Sequence, residues 1–480
     1  MRPLRFVLGI ALSLVPPLCA RAAEPIAIGP RLELFADTFL IDTLEGARLQ
    51  LHPPTPAETV LTFDKPWEGE FCGYVTVIQD GELYRLYYRG LPEAGADGSG
   101  LESTCYAVST DGIHFAKPNL GLFEVSGTRD NNAILHGFEP LSHNFAAFLD
   151  SRPGADPAQR YKALGGTSAS GLVAFISPDG IHWQKLREEA VIKQGALDSQ
   201  NVAFWSETEN QYVCYLRTFD PTSNVRTVSR CTSSDFVAWT DIVPMEFGDT
   251  APEHLYTNQT TPYFRAPHLY VAIAARFMPG RRVVSEETMA QMGGDAKYSG
   301  DCSDAVLLTS RGGTHYDRTF MESFIRPGIG LNNWTSRTNY PARGVVPTGE
   351  NEMSMYVQRN YGQKSHHLQR LVMRTDGFAS VNAPYGGGEM TTKPITFDGK
   401  RLLVNFATSA AGSVWIELQH ADGSPIQGFA REDCDEIVGD EIARTVTWKG
   451  NADVSPLAGT PVRLRASLKD ADLYSVQFQQ

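Results

Sequence analysis

Short stretches in which apolar and polar residues alternate occur along most of this chain, and this pattern predicts short β-strands. In the first part of the chain the predicted strands are residues 74–78, 84–88, 105–108, 145–149, 161–164 and 173–176. Helical periodicity is nearly absent, and residues 286–292 form the one short candidate helix. The pattern therefore predicts an all-β protein.

A short signature built around Asp-Gly and a following aromatic residue recurs, intact or decayed, where predicted strands end. Asp-Gly favours a tight hairpin because glycine tolerates positive φ, and the aromatic ring can fill the space between two sheets. Repeats at this spacing leave room for one four-stranded sheet each. The five copies are Ser109-Thr-Asp-Gly-Ile-His-Phe115, Ser177-Pro-Asp-Gly-Ile-His-Trp183, Ser233-Ser-Asp-Phe-Val-Ala-Trp239, Ser310-Arg-Gly-Gly-Thr-His-Tyr316 and Arg374-Thr-Asp-Gly-Phe378. We therefore predict a five-bladed β-propeller over residues 31–385.

The two ends of the predicted propeller differ from the repeats. Residues 31–42 alternate between apolar and polar and are predicted to close the ring by joining the last blade. A glycine-rich segment, residues 384–388, precedes a second domain that we predict to be a β-sandwich over residues 389–480. Its predicted strands are residues 402–406, 413–418, 444–448, 462–468 and 473–478.

The N-terminus has the features of a secretory signal peptide: a basic start, an apolar run over residues 6–18, and Ala22-Ala23 near a cleavage point. We predict residues 1–23 to be this signal and the protein to be secreted or periplasmic. A lipid anchor on Cys19 is the weaker alternative, because Leu18 rather than a small residue precedes it. No other apolar run has the length of a membrane span.

Net charge argues against some classes of partner. The whole chain carries 42 basic and 55 acidic residues, a net charge of −13, and the predicted signal contains three arginines and no acid. The processed protein is therefore more acidic still, which argues against nucleic acid and against anionic membrane surfaces as partners. Scattered lysines and arginines still allow a local cationic pocket for a carboxylate or sulfate on a substrate.

Metal and cofactor sites are not predicted. The six cysteines beyond residue 23 lie singly in strand-like runs, none at the spacing of metal ligands, and are interpreted mostly as buried thiols. Cys214 and Cys231 could meet across neighbouring strands. His143 and His254 lack a His-x-His or His-x-x-x-His pattern, so hydrogen-bonding roles are favoured over metal binding. No dinucleotide, phosphate-loop or nucleophile-elbow motif occurs.

Polar side chains cluster where each innermost strand is expected to start. In a propeller these starts lie near the axis on one face, so their side chains are expected to converge on one funnel. Carboxylates, amides and aromatic rings together suit a sugar, and glycosidic cleavage needs one protonated and one ionised carboxyl group. We predict the catalytic groups to come from Glu68, Asp198 and Glu253. The predicted substrate-binding residues are Trp67, Glu70, His143, Asn144, Asn201, His254, Tyr256, Asn258, Arg337, Asn339 and Glu352.

Several segments resemble the five-bladed propeller glycoside hydrolases related to families 32, 43, 68 and 117, with a C-terminal β-sandwich as in family 32. The resemblance lies in residues 35–41, 66–69, 143–145, 160–164, 198–201, 255–258 and 470–474. It implies a carbohydrate-active enzyme of this fold. The family 32 catalytic strings Trp-x-Asn-Asp-Pro-Asn, Arg-Asp-Pro and Glu-Cys are not present, so fructan specificity is not predicted.

The function predicted from these observations is a glycoside hydrolase that removes a terminal sugar from a plant or algal glycan. An oligosaccharide or polysaccharide is the expected partner, and retaining and inverting chemistry both stay open. Two alternatives remain: a lectin-like propeller that binds glycans without cleaving them, and a polysaccharide lyase with Tyr256 or His254 as base. Repeated sugar sites on all blades would favour the lectin, and an arginine-rich pocket with one such base would favour the lyase.

Overall fold

The computed structural model describes residues 24–480, so the predicted signal peptide lies outside the described residues. These residues form an all-β protein with one α-helix, α1 (Glu286–Gln291), which confirms the short helix predicted there. Within the described part, no helix is long and apolar enough to cross a membrane. The first strands are β1 (Ile26–Gly29), β2 (Leu32–Leu34), β3 (Ile41–Glu45), β4 (Arg48–Leu51) and β5 (Thr55–Thr62).

Five separate four-stranded sheets follow one another along the chain and are the blades of the predicted propeller. Blade 1 contains β6 (Gly73–Asp80), β7 (Leu83–Gly90), β8 (Ser103–Ser109) and β9 (Ala133–Leu135). Blade 2 contains β10 (Ala146–Leu149), β11 (Tyr161–Thr167), β12 (Gly171–Ser177) and β13 (Gln184–Lys185). Blade 3 contains β14 (Val202–Ser206), β15 (Gln211–Phe219), β16 (Arg226–Ser233) and β17 (Val243–Pro244).

The last two blades depart from this simple order. Blade 4 contains β18 (Leu255–Thr257), β19 (Thr261–Tyr263), β20 (Ala266–Met278) and β21 (Cys302–Ser310), and its inner edge is divided between β18 and β19, which both pair with β20. Blade 5 contains β22 (Val346–Pro347), β23 (Glu352–Arg359), β24 (His367–Arg374) and, as its outer strand, β5 from the N-terminal segment. The five-bladed prediction is confirmed.

Ring closure takes place at a different segment from the one predicted. The strand that completes blade 5 is β5, whose Leu61 pairs with Leu368 of β24. The predicted closing segment, residues 31–42, contributes β2 to the C-terminal sheet instead, where Leu32 pairs with Gln477. Both segments alternate, and the sequence pattern does not say which sheet edge each one meets.

The C-terminal domain is a ten-stranded sheet system that also recruits β1 to β4. Its other strands are β25 (Ala379–Ala383), β26 (Gly388–Thr392), β27 (Ile395–Phe397), β28 (Arg401–His420), β29 (Asp440–Thr445) and β30 (Val462–Gln479). Four of the predicted strands are halves of β28 and β30, which pair along most of their length with a register shift between Thr408 and Ser413. Side chains from both halves of each strand share one core. The domain limits predicted from sequence, 385 for the propeller and 389 for the sandwich, are thus not the limits of the C-terminal sheet system. That sheet system also includes strands within residues 26–51 and 379–383.

Between the blades, large apolar and aromatic side chains fill the space as the repeat predicts. One core cluster joins blades 2, 3 and 4, and others join blade 1 to blade 2 and blade 5 to blade 1. All six cysteines of the described residues are buried thiols, and Cys214 lies directly opposite Cys231 on β15 and β16.

The repeated signature forms one hydrogen-bonded loop. In blade 1, Ser109 Oγ accepts hydrogen bonds from the amides of Asp111 and Gly112, and Asp111 Oδ1 accepts from two amides further on. The hydroxyl of Tyr356 in blade 5 then donates to the carbonyl oxygen of Gly112 at 2.6 Å. In blade 2, Tyr87 of blade 1 donates to Gly180 in the same way. The signature therefore attaches each of these two blades to the preceding one.

Candidate functional site

The axis of the propeller is filled by side chains just below the polar face. Gln200 Nε2 donates to Thr76 Oγ1 at 2.8 Å, and Gln259 Nε2 donates to Gln200 Oε1 at 2.6 Å. Deeper in the axis, Arg343 of blade 5 donates to the carbonyl oxygens of Ala147 and Ala203 in blades 2 and 3. These bonds connect residues of all five blades near the axis.

Residues from the blades meet at this face, and we call the group the entrance site. It consists of Tyr74, Arg89, Asp97, Arg217, Arg226, Tyr256, Tyr298, Asp301, Arg337 and Tyr340. Tyr74 and Tyr256 begin or lie in innermost strands, whereas Arg89, Arg217 and Arg226 lie at the ends of second and third strands. In an antiparallel sheet the end of the second strand lies beside the start of the first, which brings both sets to one edge.

Tyr256 lies at the centre of the entrance site. Its ring is 5.0 Å from the Arg217 guanidinium, 5.3 Å from the Arg226 guanidinium and 5.1 Å from the ring of Tyr340. Burial acts to raise the pKa of Tyr256, but the positive charges of Arg337 and Arg217 outweigh it and lower the pKa below its ordinary value. This phenol therefore ionises more readily than an ordinary tyrosine.

Arg337 connects groups from three blades. Its guanidinium is 5.5 Å from the ring of Tyr298, and its charge acts on Tyr74, Asp97 and Asp301. Its backbone is left-handed, with φ +58°, as is that of Tyr74 with φ +52°. Such conformations are costly for residues with large side chains and cluster at functional sites.

Asp97 is an ionised carboxylate at one side of this group. It lies in the loop between β7 and β8, and Arg89 Nη1 donates to its Oδ1 at 2.8 Å. Burial acts to raise the pKa of Asp97, but the charges of Arg89 and Arg337 outweigh it, and the pKa lies below its ordinary value. The Asp97 carboxylate can therefore serve as a nucleophile or as a base.

Asp301 has the opposite electrostatic environment. It precedes β21 of blade 4, and its buried Oδ1 has no hydrogen-bond partner among the described residues. Burial raises the pKa of Asp301, and the nearby Ser336 hydroxyl and the charges of Arg337 and Arg226 only partly offset this effect. The pKa values of the two carboxyls on which the Arg337 charge acts are thus displaced in opposite directions, as in pairs of catalytic acid and base.

Blade 2 contributes an imidazole beside the entrance site. His143 Nδ1 lies 2.7 Å from Glu102 Oε2, and both side chains are buried. Burial acts to raise the pKa of Glu102, but the hydrogen bond with His143 and the charge of Arg89 lower it. Asn144 Oδ1 accepts from Arg89 Nη1 at 3.2 Å, while the Asn144 amide nitrogen is buried without a partner among the described residues.

Glu68, the carboxylate predicted as catalytic in blade 1, accepts hydrogen bonds from other residues in the protein interior. Glu68 is fully buried; its Oε2 accepts from Lys117 Nζ at 2.7 Å and from the Lys65 amide at 3.0 Å, and Tyr88 donates to its Oε1. All of its strong acceptor sites are therefore used by the protein itself. The neighbouring Trp67 is buried as well and donates to Asn132 at 2.9 Å.

The other two predicted catalytic carboxylates have partners of their own. Asp198 is exposed and accepts from the Ser168 hydroxyl at 2.7 Å. Glu253 accepts from Arg276 at 2.9 Å and from Arg318 at 2.6 Å, and these two guanidiniums lower its pKa although burial acts to raise it. Among the described residues, Glu68, Asp198 and Glu253 bind separate sets of partners and share none, so their joint catalytic role stays a prediction from the sequence.

Several predicted binding residues instead satisfy the backbone where the chain enters an inner strand. The Asn201 amide donates to Leu197 and Ser199, the Asn339 amide donates to Ser303 and Asn333, and Asn258 Oδ1 accepts from Thr260. His254 accepts from the Arg226 amide at 3.2 Å, next to the entrance site. Glu70 is half-buried without a side-chain hydrogen bond, and Glu352 pairs with Arg370 on the outer part of blade 5.

Of the predicted residues, the entrance site therefore includes Tyr256 and Arg337, with His143, Asn144 and His254 at its edge. The sequence analysis missed Asp97 and Asp301, which lie in loops with no distinctive motif, and the arginines at second-strand and third-strand ends. Arg89 and Arg217 could have been found by following each predicted hairpin to the last residues of its second strand, Arg89-Gly90 in blade 1 and Arg217-Thr218 in blade 3. That step places the end of the second strand beside the start of the first, as with Arg89 and Gly73.

Comparisons with known proteins gave no match to any family model and none to any curated protein. Solved structures to which the chain is similar include an N-acetylgalactosamine deacetylase from F. plautii in complex with blood group B trisaccharide, at 13% identity and a TM-score of 0.43 over 71% of this chain and 96% of that one. Another is a β-1,2-mannobiose phosphorylase from Listeria innocua, at 10% identity and 0.43 over 66% and 95%. A fructofuranosidase from Schwanniomyces occidentalis complexed with fructosylnystose aligns at 12% and 0.38 over 91% and 98%.

Proposed function

We propose that this protein is a secreted or periplasmic glycan-processing enzyme, a glycoside hydrolase that removes a terminal sugar with Asp301 as general acid and Asp97 as the ionised carboxylate. The observation that carries this proposal is a pair of carboxyls from loops of blades 4 and 1 on which the Arg337 charge acts: Asp301, whose buried Oδ1 has no partner among the described residues, and Asp97, which is paired with Arg89. The roles follow from these two environments.

Asp301 gives its proton to the glycosidic oxygen as the bond to the sugar carbon breaks. In one route Asp97 takes a proton from the water that attacks that carbon. In the other route Asp97 bonds to the carbon, and water then displaces Asp97 and gives its proton to the Asp301 carboxylate. The water oxygen ends on the sugar in both routes. Tyr74, Tyr298 and Tyr340 supply ring faces and hydroxyls suited to a sugar, and the filled axis supports cleavage at a chain end rather than in the middle.

The test is hydrolysis of a panel of oligosaccharides and aryl glycosides by the unaltered protein, by Asp301→Asn and by Asp97→Asn. Removal of either group is expected to lower kcat/KM by about 100- to 10,000-fold on oligosaccharides. Asp301→Asn is expected to recover much of its rate on aryl glycosides with acidic phenol leaving groups, which need no proton, whereas Asp97→Asn is not.

The matched control is Asp198→Asn, the same substitution at an exposed carboxylate that bonds only Ser168. It is expected to keep full turnover. If Asp301→Asn and Asp97→Asn turn over oligosaccharides as Asp198→Asn does, the assignment is wrong. Binding without turnover by the unaltered protein across the panel would favour the lectin-like alternative.

One observation favours a second candidate, a polysaccharide lyase. Tyr256 lies between two guanidiniums that lower its pKa together with Arg337, which suits a phenolate that removes the proton beside a uronate carboxyl. Elimination leaves an unsaturated uronate that absorbs in the ultraviolet and takes no oxygen from water. Products formed in ¹⁸O-labelled water separate the two reactions, since only hydrolysis incorporates the label.

A further inference from the structure

Three arginines of the entrance site make no ion pair within residues 24–480. Arg217, Arg226 and Arg337 have no carboxylate within ion-pair distance, and Arg217 and Arg226 instead stand over the ring of Tyr256. Many other guanidiniums of the chain are paired: Arg276 and Arg318 with Glu253, Arg370 with Glu58 and Glu352, Arg230 with Glu209, Arg265 with Asp376. Arg217, Arg226 and Arg337 thus form a group of three arginines at this face that have no ion pair among the described residues.

These side chains are also buried without full use of their donors. Arg217 is 8% exposed; its Nε donates to the Ala196 carbonyl oxygen at 3.0 Å, whereas its Nη1 has no partner in the described residues. The Arg226 Nε is buried without a partner in the same part of the chain. A buried guanidinium with unused donors is costly unless an acceptor arrives, and an anion with two oxygens that accept parallel hydrogen bonds fits its fork.

The local charge is opposite to that of the whole molecule. The entrance site holds Arg89, Arg217, Arg226 and Arg337 against the carboxyls of Asp97 and Asp301, while the chain as a whole carries −13. A cationic site in an acidic protein concentrates anions locally. The ring faces of Tyr74 and Tyr298 beside the same guanidiniums keep the site suited to a sugar as well as to an anion.

We propose that the entrance site selects an anionic glycan, whose carboxylate or sulfate group is bound by Arg217, Arg226 and Arg337. That the ligand is a glycan rests on the proposed function, and the inference adds the class of glycan that the site selects. Carboxylate and sulfate share the chemistry that these donors recognise, and the arms of the experiment distinguish the two.

The test is calorimetric binding with four probes: a galacturonic acid trisaccharide, its methyl ester, galactose 6-sulfate and galactose. Each anionic probe that belongs to the natural class is expected to bind about 10- to 100-fold more tightly than its neutral counterpart, the usual effect of hydrogen bonds to a charged group. Arg217→Gln and the less buried Arg226→Gln are expected to lose that preference without weakening neutral probes. Arg282→Gln, an exposed arginine paired with Glu286, is the matched control and is expected to change nothing.

Preference for the trisaccharide acid alone assigns a uronate, preference for the sulfate alone assigns a sulfated sugar, and either result supports the proposal. Equal binding of charged and neutral probes, or an anion preference that survives in both folded arginine variants, overturns it. Tight anion binding without turnover would refute the hydrolase and leave this inference standing. Turnover of neutral glycans with no anion preference would support the hydrolase and refute this inference.

Discussion

The Arg217 guanidinium stands 5.0 Å from the centre of the Tyr256 ring. Together with Arg337 and Arg226 it places positive charge around the buried Tyr256 phenol, and the pKa of Tyr256 falls although burial opposes this. An ordinary tyrosine titrates near pH 10. The expected outcome is that Tyr256 is among the first tyrosines of the protein to ionise as pH rises.

Ultraviolet difference titration of the unaltered protein against Tyr256→Phe measures this directly. The difference is expected to show one phenolate step at a pH below the ordinary tyrosine range. Tyr298→Phe is the matched control in the same site: burial raises the pKa of Tyr298, so its removal is expected to delete only a step at higher pH. Identical titration curves for the two variants would contradict the electrostatic description of the entrance site.

The opposite pKa shifts of Asp97 and Asp301 predict how activity depends on pH. Asp97 must be ionised and has a lowered pKa, so activity is expected to fall only at low pH, as this group takes up a proton. Asp301 must be protonated and has a raised pKa, so activity is expected to fall as pH rises past that value. The dependence of kcat/KM on pH reports both groups in the free enzyme.

Removal of the Arg337 charge, which acts on both carboxyls, gives a sharper check. Arg337 lowers the pKa of Asp97 and of Asp301, so Arg337→Gln is expected to move both limbs of the profile to higher pH. Arg282→Gln, which lies outside the site, is expected to leave both limbs in place. A profile that changes height but not position in Arg337→Gln would show that Arg337 acts on neither group.

Glu68 is predicted to matter for stability. Its oxygens bind Lys117, Tyr88 and the Lys65 amide in the interior, and Glu68→Gln would leave the Lys117 ammonium, 13% exposed, with the exposed Asp64 as its remaining charge partner. Loss of one partner from a buried pair is expected to lower the free energy of unfolding by about 3 kcal/mol. Urea unfolding measures this loss.

Glu70→Gln is the control for that measurement, because the Glu70 side chain is half-buried and makes no hydrogen bond. It is expected to change the free energy of unfolding by less than about 0.5 kcal/mol. A Glu68→Gln protein that unfolds like Glu70→Gln but has lost turnover would restore the catalytic role predicted from sequence.

The repeat made the propeller predictable, because each copy encodes the same local loop. In the third copy Phe236 stands where Gly112 and Gly180 stand in the first two, and it adopts the same positive φ, +68°. The loop therefore survives the loss of its glycine, which is why the decayed copies still marked blades. Ring closure was not predictable in this way, since residues 31–42 and Thr55–Thr62 both alternate and differ only in the edge they meet.

The site was predicted less well for a physical reason. Polar residues at strand heads serve two needs, since the chain must satisfy its own amides and carbonyls there as well as bind a ligand. Asn201, Asn258 and Asn339 meet the first need, and Tyr256 and Arg337 remain for the second. Asp97 and Asp301 come from loops whose position is fixed only by packing across blades, which no local pattern encodes.

The contact between Gly112 and blade 5 gives a final prediction. Gly112 has φ +73°, and a Cβ placed there would lie 2.8 Å from Thr348 Cγ2 and 3.1 Å from the Tyr356 hydroxyl, which donates to the Gly112 carbonyl oxygen. Gly127 has φ +78° with no heavy atom within 4 Å of such a Cβ. Alanine at either position bears the cost of left-handed backbone, about 1 kcal/mol.

Only Gly112→Ala also forces blades 1 and 5 apart, which is expected to cost about 1 to 3 kcal/mol more in unfolding free energy. Urea unfolding of the two variants isolates that packing contribution, because the backbone cost is common to both. Equal stabilities would mean that this contact of the signature loop adds nothing measurable to the closure of the ring between blades 5 and 1.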